Sequence, residues 1–306
     1  MPITTTSTPS PSARAEAVTH PRLAIALGSG SARGWAHIGV LRALGEAGIV
    51  PDIVCGTSMG AFVGAAFASG ELDALEGWAR GLTRRDVLGF FDVSLGVGGL
   101  IKGEKLLGFT SRLFLDETFD QLERPFACVA TDLASGREVW LREGRVRDAV
   151  HASAALPGLM APLRVDGRFL VDGGLVNPVP VSLCRVLGAD IVIAIDLGMD
   201  TVGLRQRGGD DAVKAPAWRQ AVGRWLGREG DGDAAPPSLA DVVTNSIAIM
   251  QSRIARSRLA GEPADVLIAP RFAKVGLLDF HRADEAILSG RKAVEYMLPL
   301  LRSLLE

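Results

Sequence analysis

Three glycine-rich interruptions, each directly after a short apolar run, most constrain what this chain can fold into. They are Gly28-Ser-Gly-Ser-Ala-Arg33-Gly34, Gly56-Thr-Ser58-Met-Gly60 and Asp172-Gly173-Gly174. Apolar runs with little polar alternation suit strands of a parallel sheet that is covered on both faces. Glycine directly after such a strand lets the backbone turn tightly or approach another element closely. Together the three supply a cradle of backbone amides, a serine nucleophile and a carboxylate, which are the parts of an acyl-transfer site.

Hydrophobic spacing sets these interruptions among alternating strands and helices. Arg22 to Leu27 reads as a first strand, and Ala36 to Ala47 as a helix carried by Ile38, Leu41 and Leu44 and closed by Gly48. Ile53 to Cys55 is a second strand, which leaves Ser58 at the turn into a helical stretch from Ala61 to Ala68. Further strands are expected at 125–131, 138–141 and 191–195, with a strand-like stretch at 163–171 that turns at Asp166-Gly167. Helices are expected at 146–155, 181–187, 239–259 and 282–305, the last two flanking an edge strand at 266–269. This alternation predicts an α/β fold around a central, largely parallel sheet.

Four segments follow from composition: a disordered leader at 1–21, a catalytic core at 22–202, a glycine-rich and acidic excursion at 203–237, and a C-terminal helical part at 238–306. The leader contains no apolar stretch of the kind a secretory signal needs, so a cytoplasmic protein is expected. No run approaches the roughly 20 apolar residues that span a bilayer. A net charge of −2 without a dense basic stripe gives no case for nucleic acid. Inside the excursion, Trp218, Val222, Trp225 and Leu226 share a face, with Arg219, Arg224 and Arg228 outside it. That pattern reads as a helix packed on the body of the protein, with a lid or peripheral membrane contact through 213–228 as the alternative. Cys55, Cys128 and Cys184 lack metal-ligand spacing and read as buried free thiols.

The G-x-S-x-G spacing around Ser58 is easily met by chance in a chain with 36 glycines; the strand before it and the helix after it are what raise it to a nucleophile elbow of Gly56, Thr57, Ser58, Met59 and Gly60. The first glycine loop departs from a dinucleotide-binding turn because its third glycine falls at 34 and no acidic residue ends the second strand. Backbone N–H groups around Gly30, Ser31 and Ala32 are the alternative, as donors to a tetrahedral oxyanion. Taken alone, Asp172-Gly173-Gly174 is an ordinary turn. The four histidines are His20, His37, His151 and His281. A triad of Ser58, Asp172 and His281 stays open on chain order, while His37 reads as support for the glycine loop.

Several ordered motifs together resemble the bacterial branch of the patatin-like phospholipase family: LGSGSARGWAHIGVL (27–41), GTSMGA (56–61), ASAALPGLMAPL (152–163), VDGGLVNPVP (171–180), and the tail segments SIAIMQSRIARSRL and LLDFHRADEAI. The resemblance covers nearly the whole chain. It implies a three-layer α/β/α fold and a Ser-Asp dyad working without histidine, with Ser58 as nucleophile and Asp172 as base beside Gly173 and Gly174. The family's oxyanion pattern, G-G-G-x-R/K-G, falls on Ser29, Gly30, Ser31, Ala32, Arg33 and Gly34, with serines at 29 and 31 where the pattern has glycines. Arg33 would add positive potential there or tie the loop down. The resemblance further implies carboxylic esters of lipids as substrates and neither metal nor cofactor. A non-catalytic protein that binds lipid or a partner is the competing class.

Overall fold

The computed structural model describes residues 20–90, 117–199, 239–272 and 275–305. All but the last two positions of the 1–21 leader, the 203–237 excursion and its 213–228 stretch therefore fall outside the described residues.

Among the described residues, eight strands form one sheet. They are β1 (Leu23–Leu27), β2 (Ile53–Thr57), β3 (Phe126–Asp132), β4 (Glu138–Leu141), β5 (Leu163–Val165), β6 (Arg168–Asp172), β7 (Ile191–Ile195) and β8 (Val266–Ile268). The body β8-β7-β1-β2-β3 is parallel throughout. β4 and β6 join β3 antiparallel, and β5 pairs antiparallel with β6 through a tight turn in which Asp166 and Gly167 both take positive φ. The sheet is thus mixed, with its antiparallel part confined to the β3 side.

Helices cover both faces: α1 (Ala36–Glu46), α2 (Met59–Ala68), α3 (Leu72–Gly81), α4 (Arg84–Phe90), α5 (Val146–Ala154), α6 (Val181–Val186), α7 (Leu239–Gly261) and α8 (Ala283–Leu305). Side chains alternate across each strand, and β1 shows the consequence. Leu23, Ile25 and Leu27 pack with Trp35, Ile38, Phe62 and Ile287 on one face. Ala24 and Ala26 pack with Leu183, Cys184 and Ala255 on the other. Helices α3 and α4 carry no expectation from the sequence, although Leu72, Leu75 and Ala79, the buried positions of α3, have helical spacing.

The C-terminal part contributes a strand as well as helices, because β8 extends the sheet beside β7. Its last helix meets α1 backbone to backbone: a Cβ at Gly39 would collide with the Ile287 carbonyl, and one at Gly290 with the Ala36 carbonyl. α1 begins directly after the first glycine loop, so α8 is fastened to the element that carries that loop. No described helix is long and apolar enough to cross a membrane.

Candidate active site

Ser58 sits between β2 and α2 with φ 57° and ψ −122°, a region sparsely populated by residues with a Cβ. Such strain costs roughly 1–3 kcal/mol and persists only where the surroundings over-determine it. Here they do. A Cβ at Gly60 would run into the Leu27 carbonyl, and one at Gly56 would come within 2.5 Å of the Ala61 backbone. The Ser58 N–H donates to Ser153 Oγ at 3.0 Å, and the Ser58 carbonyl accepts from Phe62 N at 3.1 Å to start the helix. Ser58 remains half-buried while both its chain neighbours are buried.

Strand register explains why Asp172 meets it. Val129 of β3 pairs with Trp140 of β4 and with Thr57 of β2, so β2 and β4 occupy opposite edges of β3. Ala130, the next residue, pairs with Val139 of β4 and with Asp172 of β6. β4 therefore keeps one edge, and β2 and β6 share the other. Since β2 runs parallel to β3 and β6 antiparallel, their C-terminal ends meet head to head, one residue or about 3.3 Å apart along β3. Ser58 follows the end of β2, and Asp172 is the end of β6.

Hydrogen bonds lock this junction. Thr131 Oγ1 donates to the Asp172 carbonyl at 2.8 Å, the Asp172 N–H donates to Ala155 O at 2.9 Å, and Thr57 Oγ1 donates to Asn177 O at 2.9 Å. Of the carboxyl oxygens, Oδ1 accepts from Gly174 N at 2.7 Å, whereas the buried Oδ2 has no hydrogen-bond partner among the described residues. Burial pushes the Asp172 pKa up from the ordinary 3.8 to about 6, against the opposing pull of the nearby Ser58 hydroxyl and the Gly174 amide.

The first glycine loop packs against the elbow, since a Cβ at Gly34 would collide with that of Met59. Several of its amides are already committed. Ser29 N donates to Pro178 O at 2.8 Å, Ala32 N to Leu277 O at 3.0 Å and Arg33 N to Gly30 O at 3.1 Å. Ala32, one of three expected oxyanion donors, is buried and occupied in this way. The N–H groups of Gly30 and Ser31 have no acceptor among the described residues and remain half-buried. Ser31, standing where the resembled pattern has glycine, takes φ 50°, and its Oγ donates to Leu277 O at 2.5 Å. Arg33 Nε donates to Val275 O at 2.9 Å and its guanidinium covers the Phe272 ring at 5.4 Å, which ties the loop to the 270s.

No histidine is hydrogen-bonded to Ser58 or Asp172 among the described residues. His281 Nε2 instead accepts from Arg84 Nε at 3.2 Å. His37 is wholly buried and donates from Nε2 to Gly28 O at 2.7 Å; burial drives its pKa down from 6.5 to about 4, so it is neutral near pH 7. It braces the base of the glycine loop.

A family model described as patatin-like phospholipase matches residues 25–185. An uncharacterized NTE family protein of Mycobacterium tuberculosis is 36% identical over 92% of this chain and 93% of its own length. The chain belongs to the patatin-like phospholipase family. A lysophospholipase of Pyricularia oryzae is 32% identical over 92% of this chain, which spans 18% of that longer protein. Among solved structures, VipD from Legionella pneumophila aligns over 92% of this chain and 67% of its own, at 14% identity and a TM-score of 0.47.

This patatin-like chain also uses residues that the motifs did not single out by role. Ser153, fully buried on α5, holds the Ser58 amide and lies against the Cys128 thiol. Asn177 joins the turn after Asp172 to Glu138 and Ser182 through Nδ2 at 2.8 and 3.2 Å. Both fall inside quoted motifs, yet their partners sit on other elements, and only the partners reveal what they do.

Proposed function

We propose that this chain is a serine acyl-ester hydrolase that cleaves carboxylic esters of lipids with a Ser58–Asp172 dyad. The observation that carries the proposal is the head-to-head meeting of β2 and β6, which brings a strained serine beside a buried carboxyl with an unpartnered oxygen. Asp172, charged above pH 6, takes the Ser58 Oγ proton as Oγ adds to the acyl carbonyl carbon. The N–H groups of Gly30 and Ser31 then donate to the oxyanion, each worth roughly 3–4 kcal/mol in related sites. Collapse breaks the ester C–O bond; the leaving alkoxide takes the proton from Asp172, and an acyl-serine remains. Water, deprotonated by Asp172, releases the acid and restores Ser58.

A raised pKa suits this task, since a carboxylate near its reference value of about 4 is a poor base at neutral pH. The Pyricularia oryzae relative is named a lysophospholipase, which makes monoacyl phospholipids the first substrate class to try. Fatty acid release from lysophosphatidylcholine and from p-nitrophenyl esters, compared between wild type and Ser58→Ala, tests the proposal. Turnover that disappears in Ser58→Ala is the expected result, and equal turnover in the two proteins overturns it.

A further inference from the structure

Gln251 stands on α7, outside every element assigned above to the chemistry, and touches both halves of the site. Its Oε1 accepts from Ser29 Oγ at 3.4 Å, a long contact at the start of the oxyanion loop. At the other end Nε2 packs over Gly174, in the space that a side chain there would need. Gly174 is the residue whose amide fixes Asp172 Oδ1. The same side chain borders a cavity of about 30 Å³ with Ser29, Gly30 and Ser252. Ser252 is buried and donates to Gly198 O at 3.3 Å, which anchors this turn of α7.

We propose that Gln251 is a positioning residue that holds the oxyanion loop and the Asp172 turn in register across the Ser58 hydroxyl. The proposal rests on the dyad reading given above. The backbone bond from Ser29 N to Pro178 O ties the loop to the segment after the turn, and Gln251 is the side chain that reaches from Ser29 to Gly174 itself, so its loss frees the two for small relative shifts. A misplacement near 1 Å costs on the order of 100-fold in rate. A neutral amide also meets an electrostatic requirement, because a carboxylate at 251 would stand beside Asp172 and make it harder to ionise.

The test is kcat and KM for p-nitrophenyl butyrate across pH 5–9 in wild type, Gln251→Met, Gln251→Glu and Ser58→Ala. Gln251→Met keeps helix propensity and bulk. It is expected to lower kcat about 10- to 100-fold with KM nearly unchanged. Gln251→Glu is expected to move the acid limb of the kcat profile up by about one pH unit. If Gln251→Met does not fold, the isosteric Gln251→Glu decides through its pH profile. The positioning role is overturned when Ser58→Ala is inactive while the folded Gln251 variants keep wild-type kcat and an unshifted acid limb. Undiminished turnover in Ser58→Ala overturns the dyad reading, and the proposal with it.

Discussion

The turn that carries Ser58 and the first glycine loop, at Gly28 to Gly34, stand at the ends of adjacent parallel strands, yet they are held differently. The elbow is fixed by missing side chains: Gly60 lies on the Leu27 carbonyl and Gly56 on the Ala61 backbone. The first glycine loop is fixed largely by side chains that reach residues 275–280. Ser31, Arg33 and Trp35 bond the carbonyls of Leu277, Val275 and Phe280, at sequence separations of 246, 242 and 245. Trp35 is further clasped edge-on by Phe62, Trp78 and Phe280 at centroid distances of 5.9–6.2 Å. A turn held by backbone contact tolerates no added atom, whereas a tethered loop can lose one tether at little cost to the stability of the fold.

Substitutions on the two sides should separate this contrast most widely at Gly60. Gly60→Ala drives a methyl into the Leu27 carbonyl and is expected to destabilise the fold by about 3 kcal/mol or more, read by urea denaturation. A loss under about 1 kcal/mol would show that the elbow can yield.

Asp172→Asn, at the partner of the elbow, should stabilise the protein above pH 7. The carboxyl's pKa in the fold, about 6, exceeds the ordinary 3.8, so its stabilising contribution is complete below 3.8 and is lost as pH rises through 6. Removing that cost is worth up to about 3 kcal/mol at pH 7.5, visible as a higher melting temperature. An unchanged or lower melting temperature contradicts the buried-carboxyl account.

His37 gives the opposite pH slope on the loop side. Its pKa is lowered to about 4, so its contribution is complete above 6.5 and is lost as pH falls through 4. Between pH 7 and pH 5 the loss is about 2 kcal/mol, and His37→Gln should flatten the fall in melting temperature over that range. The smallest effect belongs to Ser31→Gly. Losing the bond to Leu277 O costs about 1 kcal/mol, while relief of a positive φ returns a similar amount. A net change above about 2 kcal/mol would mean that one tether carries the loop, and the contrast with the elbow would fail.

The two regions also differ in how much of them the sequence discloses. The Ser58 turn is local: a strand, Gly-Thr-Ser-Met-Gly and a helix are contiguous, so the sharp turn at Ser58 is legible from spacing and context. β7 was legible to the residue, since Ile191–Ile195 is an uninterrupted apolar run. The placement of Asp172 beside the Ser58 turn is suggested only by family resemblance, because its own turn is ordinary and the placement depends on β2 and β6 sharing one edge of β3. The committed state of Ala32 N–H was not legible, since its acceptor, Leu277, lies on a distant segment. The contacts of Gln251 and Ser153 are hidden for the same reason: their partners are remote in sequence.

The central claim, that Asp172 serves Ser58 without a histidine, is tested most directly by kcat for ester hydrolysis in Asp172→Asn and His281→Ala, measured side by side at pH 8. The account predicts a fall of about 10²–10⁴ for Asp172→Asn and a change within about threefold for His281→Ala. A loss in His281→Ala as large as that in Asp172→Asn would contradict it and restore the triad.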